Sequence, residues 1–159
     1  MKRLVFALLA LFIVSHAEAA TTPNSVVTAQ TPNRGVVQFL TADSATVYKT
    51  LYTAGANGSM CFGMWSTNSD AATHLITVQL VAGAIKEGGM SITTVANAGF
   101  ANAIPAQNLT SAANWPGLPT DSNGNPFILL ASGDTLQATF TTAVTASAAV
   151  NIVVSCVDY

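Results

Sequence analysis

Few side chains in this sequence have a type and spacing that could carry chemistry. Beyond residues 1–19, His74 is the only histidine. No second imidazole or cysteine lies near it to complete a zinc-ligand spacing, so it reads as a structural histidine in phase with Ile76 and Val78. Serines are plentiful, but no Gly-x-Ser-x-Gly elbow presents one as a nucleophile. Asp43, Asp70, Asp121 and Asp134 fall in expected turns, where an Asp caps its own backbone rather than joining a carboxylate pair for hydrolysis. Asp121-Ser-Asn-Gly-Asn125 sets oxygen ligands at alternate positions, like the start of a calcium loop. Pro126 and Ser132 stand where such a loop needs Gly and Glu, so the stretch reads as an Asn-Gly turn. No catalytic, cofactor-binding or metal-binding residue is assigned, and the expectation is a chain that is not an enzyme.

Three further features concern structure and contact. Cys61 and Cys156 are the only cysteines, and two readings stay open. A disulfide fits an oxidising compartment. Two free thiols, common as core residues, are the alternative; Met60, Phe62 and Met64 alternate against Cys61, and a core on the Met/Phe face would turn Cys61 outward and keep the two sulfurs apart. Trp115-Pro-Gly-Leu-Pro119 places Trp115 and Leu118 on a stiff, irregular segment. There they either plug one end of the fold or anchor a protein partner. A glycan partner would call on exposed aromatics, for which Trp65, Trp115 and Tyr52 are the candidates. Asn57-Gly-Ser59 and Asn108-Leu-Thr110 match the glycosylation sequon.

Composition narrows the class. The chain is 50% hydrophobic but only 8% charged, so its surface must be built from Thr, Ser, Asn, Gln and Gly. Met1-Lys2-Arg3, an apolar run from Leu4 to Val14 and Ala17-Glu18-Ala19 form the three parts of a secretory signal, with the cut expected after Ala19. The apolar run is too short to span a bilayer, and no stable membrane span is expected after cleavage. About 140 residues would remain, the size of one domain. Beyond the leader, Arg34, Lys49 and Lys86 face six carboxylates, so binding to nucleic acid is excluded. The expected location is exported: periplasmic, extracellular or particle-associated.

The elements that would position these residues are strands. Phe127–Ala131 is a continuous apolar run, as for a strand buried on both faces or crossing a core. Ser132-Gly-Asp134 is a turn, and Leu136, Ala138 and Phe140 then alternate with Thr135, Gln137 and Thr139, which puts Thr139 on a wet face. Gly35–Leu40, Thr46–Thr53, Ser59–Ser66, Thr73–Val81, Met90–Val95 and Val150–Val157 follow the same grammar. The predicted core includes Ile76, Val78, Leu80, Leu136, Ala138, Phe140, Ile152 and Val154. Residues 20–33 read as a loose N-terminal arm. Residues 96–126 form a long irregular segment with room for one short helix over 106–115, and such segments often carry function. The prediction is all-β: a single antiparallel β-sandwich over 34–159 with about seven or eight strands and a jelly roll among its topologies, a closed barrel being the alternative.

Lys49-Thr-Leu-Tyr-Thr-Ala-Gly-Ala-Asn-Gly-Ser59, Leu118-Pro-Thr-Asp-Ser-Asn-Gly-Asn-Pro-Phe-Ile-Leu-Leu-Ala-Ser-Gly-Asp-Thr-Leu136 and the terminal Val157-Asp-Tyr159 resemble a group of small uncharacterised phage and prophage proteins. The resemblance covers most of residues 46–159. It implies a virion-associated, capsid-decorating β-sandwich with no catalytic residues to transfer. The leader departs from that pattern and favours an exported relative. The expected function is a structural or interaction module that works by surface contacts and self-association. A secreted carbohydrate- or ligand-binding module is the second reading.

Overall fold

The computed structural model describes residues 31–100 and 104–159. The expected leader, and residues 20–30 of the expected arm, lie outside the described residues. Nine strands follow in order: β1 (Thr31–Phe39), β2 (Lys49–Thr53), β3 (Ser59–Asn68), β4 (His74–Ala82), β5 (Ile85–Thr94), β6 (Gln107–Asn108), β7 (Ile128–Leu130), β8 (Thr135–Phe140) and β9 (Val150–Asp158). All described pairings are antiparallel, and they nest like one long hairpin. β1 pairs with β9, β2 with β8, β3 with both β6 and β7, and β4 with β5 at the tip. Rolling that hairpin brings β9 onto β3 and β8 onto β4. The outcome is two sheets, β1-β9-β3-β6 with β7 also on β3, and β2-β8-β4-β5. The chain is an all-β sandwich, and this nesting is that of a jelly roll.

Period-2 burial drives the packing. Val150, Ile152, Val154 and Cys156 of β9 face Ile76, Val78, Leu136, Ala138 and Phe140 of the other sheet, all at or below 1% exposure. Phe39 and Phe140 meet across the sheets with ring centroids 4.8 Å apart. Of the predicted core, only Leu80 is half-buried, packed against the margin of the cluster. Gly133 takes φ +80 in the predicted turn before β8, where Asp134 N–H donates to Ala131 O at 3.1 Å. Gly35 has another reason: a Cβ there would sit 2.1 Å from the Leu51 carbonyl oxygen, because β1 and β2 close one side of the sandwich edge to edge.

Several expectations change. Thr31–Asn33, assigned to the arm, open β1; Pro32 is tolerated because this is an edge strand. No helix forms over 106–115; Trp115 N–H donates to Ser111 O in a single turn, and β6 takes the preceding residues. β5 begins at Ile85 rather than Met90, since a tight turn at Gly83 replaces the longer connection. Leu129 in β7 is 55% exposed, so that strand is buried on one face only. Thr139 is not on a wet face: it is 4% exposed and its hydroxyl donates to Val47 O at 3.0 Å, under the chain that enters β2.

Cys61 and Cys156 form a disulfide between directly paired residues of β3 and β9. The phase objection fails because the β3–β9 register shifts between Cys61 and Gly63. Phe62 is the extra residue of that bulge. It points outward, 52% exposed, while Cys61 and Met64 both reach the core at 1%.

Substituting Phe140 by Ala should cost about 3–5 kcal/mol in denaturant melts through cavity formation. Thr139→Ala should cost about 1 kcal/mol, the net worth of its hydrogen bond. Replacing both cysteines by Ala, in a chain whose bond spans 95 residues, should remove about 4–5 kcal/mol with unchanged β content by circular dichroism.

Candidate functional site

Three polar constellations are assembled by the fold, and their burial separates structural from contact roles. The first closes one end of the sandwich. Asp70, in the turn between β3 and β4, is 1% exposed. Its Oδ2 accepts from Thr145 N at 2.7 Å and from His74 Nε2 at 3.0 Å; its Oδ1 accepts from the Thr145 hydroxyl at 2.8 Å and Ala72 N at 3.1 Å. The other ring nitrogen of His74 lies 3.1 Å from Thr142 O. Donation from the Thr145 backbone, with further hydrogen bonds, holds the Asp70 carboxyl well below the usual carboxylate range against the opposing effect of burial. His74 is fully buried and its described partners are Thr142 O and Asp70, so the group pins the turn before β4 to the chain between β8 and β9.

The second group sits at the opposite end of β9. Asp158 accepts from the hydroxyls of Ser59 and Tyr52 and, at 2.7 Å, from Asn33 Nδ2. Donation from Ser59 and then Tyr52 lowers the Asp158 pKa, while burial, followed by Asp158 itself, raises that of Tyr52. Tyr52 is 7% exposed and therefore offers no stacking face for a sugar.

The third constellation belongs to residues 96–126. The described buried side-chain atoms without a hydrogen-bond partner are Gln107 Oε1, Thr110 Oγ1 and Trp115 Nε1, and all three lie on this segment. Such atoms are expensive in a folded protein and mark places where something outside the chain can complete the bonding. Trp115 is 8% exposed in the core cluster and Leu118 packs against that cluster, so both plug the fold as in the first of the two sequence readings. One side of the Trp115–Leu118 stretch still faces a groove of about 290 Å³ against Glu87, Gly88 and Gly89 of β5.

The outer face of the five-stranded sheet holds a cleft of about 470 Å³ between β3 and the 121–126 turn. It is lined by Met60, Phe62, Asn108, Thr110, Asp121 and Asn125, among others. Trp65, half-buried, stands on the same face, paired in register with Asn108. Asp121 lies in its own turn: Oδ1 accepts from Asn123 N and Asn125 N, and Oδ2 from Asn125 Nδ2 at 3.0 Å. Those bonds, the side-chain one first, lower its pKa. No group of three or more His, Cys, Asp or Glu placed to hold a metal ion occurs among the described residues, and no described helix is long and apolar enough to cross a membrane. Sequence reasoning missed Phe62 and Thr110. Alternation with Met60 and Met64 leaves the face of Phe62 open, and nothing in sequence marks an unpaired hydroxyl.

The lowered pKa of Asp70 has a signed consequence. A carboxyl whose folded pKa lies below its unfolded value contributes stability that is present above about pH 4 and is lost as the pH falls further. Chemical-denaturation stability should therefore drop below about pH 4. Asp70→Asn should be less stable at neutral pH and show a flatter acid limb. An unchanged acid limb would mean that other carboxylates set it.

No family model and no curated protein matches the chain. Among solved structures it is similar to the virus-like particle of the extra small virus of the giant freshwater prawn Macrobrachium rosenbergii, at 10% identity and a TM-score of 0.34, over 87% of this chain and 85% of that one. A likeness at that TM-score assigns neither fold nor function, and the chain's own geometry has to do so.

Proposed function

We propose that this protein is a non-catalytic structural module, exported or particle-associated, that assembles with further copies of itself along the open edge of its four-stranded sheet. One observation carries this reading. β5 is ten residues long, ends the order β2-β8-β4-β5, and among the described residues hydrogen-bonds to β4 alone. An edge of that length presents unpaired backbone groups that another strand can use. The other edges are less open: β6 and β7 have two and three residues, and β1 and β2 abut, with Lys49 Nζ donating to Gln38 O at 2.8 Å.

A second copy suits β5 in charge and symmetry. The strand carries one cation and one anion, Lys86 and Glu87, and Lys86 is drawn over the Tyr48 ring at 5.3 Å. Identical strands paired about a two-fold axis therefore bring no excess of one charge together. The groove lined by Gly88, Gly89, Trp115 and Leu118 runs beside the same edge. Repeated assembly also accords with the resemblance to small phage virion proteins. Jelly rolls serve both viral capsids and lectins, so the topology supports no choice by itself.

Sedimentation of the chain without its leader should give a mass that rises with concentration. Ile85→Lys combined with Ser91→Lys should hold it at one chain, because edge lysines oppose strand addition. A wild-type mass fixed at one chain up to about 1 mM, the weak end of specific association, would overturn the reading.

A further inference from the structure

Phe62 is large, apolar and half-exposed because the bulge in β3 forces it out of the core. It borders the cleft on the outer face of the five-stranded sheet, across from the 121–126 turn. The cleft volume, about 470 Å³, falls within the range of small-ligand sites. Around it the polar atoms are only partly used. Asn108 Oδ1 accepts from Thr110 N at 2.9 Å, which leaves its Nδ2 free to donate. Asn125 Nδ2 is spent on Asp121, which leaves its Oδ1 free to accept. Thr110 is 5% exposed and its hydroxyl has no partner. A buried orphan hydroxyl in the wall of a cleft is an unfilled hydrogen-bonding position.

The chemistry of these groups selects the ligand. The Asp121 carboxylate stays ionised and disfavours an anion. It already accepts three bonds from its own turn and has no second carboxylate beside it in the cleft, so a cation finds little to coordinate. What remains is an amide donor, an amide acceptor, a carboxylate edge, a hydroxyl able to do both, and an aromatic ring. Hydroxyls of a neutral pyranose both donate and accept, and its C–H face packs on an aromatic ring. We infer that this cleft binds a neutral saccharide, with Phe62 as the stacking platform and Asn108, Thr110 and Asn125 reading hydroxyl groups. The site is separate from the β5 edge, so a chain that fails to assemble can still bind sugar, and the reverse.

The test is saturation-transfer NMR of the chain without its leader against methyl glucoside, methyl galactoside, methyl mannoside and chitobiose, followed by titration of any binder. At least one should bind, and Phe62→Ala should weaken it about tenfold or more, as loss of a stacking face does. Thr110→Val is the sharper variant. It removes an unpaired hydroxyl at constant shape, so it should raise the melting temperature while weakening saccharide binding. A merely structural threonine would not give that pair of effects. Sedimentation of Phe62→Ala should match wild type. Absence of binding by all four sugars, binding that survives Phe62→Ala, or a Thr110→Val variant that binds as wild type would overturn the inference.

Discussion

A single extra residue in β3 sets much of what the rest of the molecule can do. An unbroken strand alternates faces, so Cys61 and Met64, three positions apart, could not both point inward. The bulge at Phe62 resolves this by shifting register between Cys61 and Gly63. On one side of it Ser59 and Cys61 meet the core, which allows the disulfide to Cys156. On the other, Met64, Ser66 and Asn68 meet the core. Phe62 is expelled to the outer face, beside the 121–126 turn. Disulfide, core and cleft thus share one local departure from regular pleating.

Polar anchors do at the two ends of the sandwich what apolar packing does in the middle. Asp70 gathers its donors from the turn before β4, from His74 and from Thr145, and so holds the approach to β9. Asp158 gathers Ser59, Tyr52 and Asn33 where β9 ends. Each anion is buried or nearly so, and each is held by several hydrogen-bond donors at once, which satisfies the carboxylate where water is excluded. This suits a chain with so few charges to spare.

Sheet membership was legible where a strand has one wet face and one dry face. Ile76, Val78, Leu136, Ala138, Phe140, Ile152 and Val154 declare themselves by period, and the glycine turn before β8 declares the hairpin. The misreadings have local physical causes. A bulge inverts phase without a compositional mark, so period alone left the faces of Phe62 and Cys61 undecided. Thr139 looked wet because the strand pattern carries no record of the loop that crosses over it. Leu129 sits in an apolar run that reads as fully buried, yet its side faces the uncovered side of the sheet. The cleft was less legible than the fold, since it depends on where a long irregular segment lies down, and single-sequence periodicity is silent about that.

The nested pairing also dictates an order of events during synthesis. β1, made early, has its hydrogen-bonded partner in β9, with registers such as Thr31 with Asp158. β2 waits in the same way for β8. Among the described strands only the β4–β5 hairpin is closed by neighbours in sequence. Contacts that span so much chain make folding slow compared with domains held by local contacts. Neither sheet can be completed until the far half of the chain has left the ribosome. A polypeptide wired this way carries most of its strands without their partners through the greater part of its own translation, and the roll locks shut only at the end.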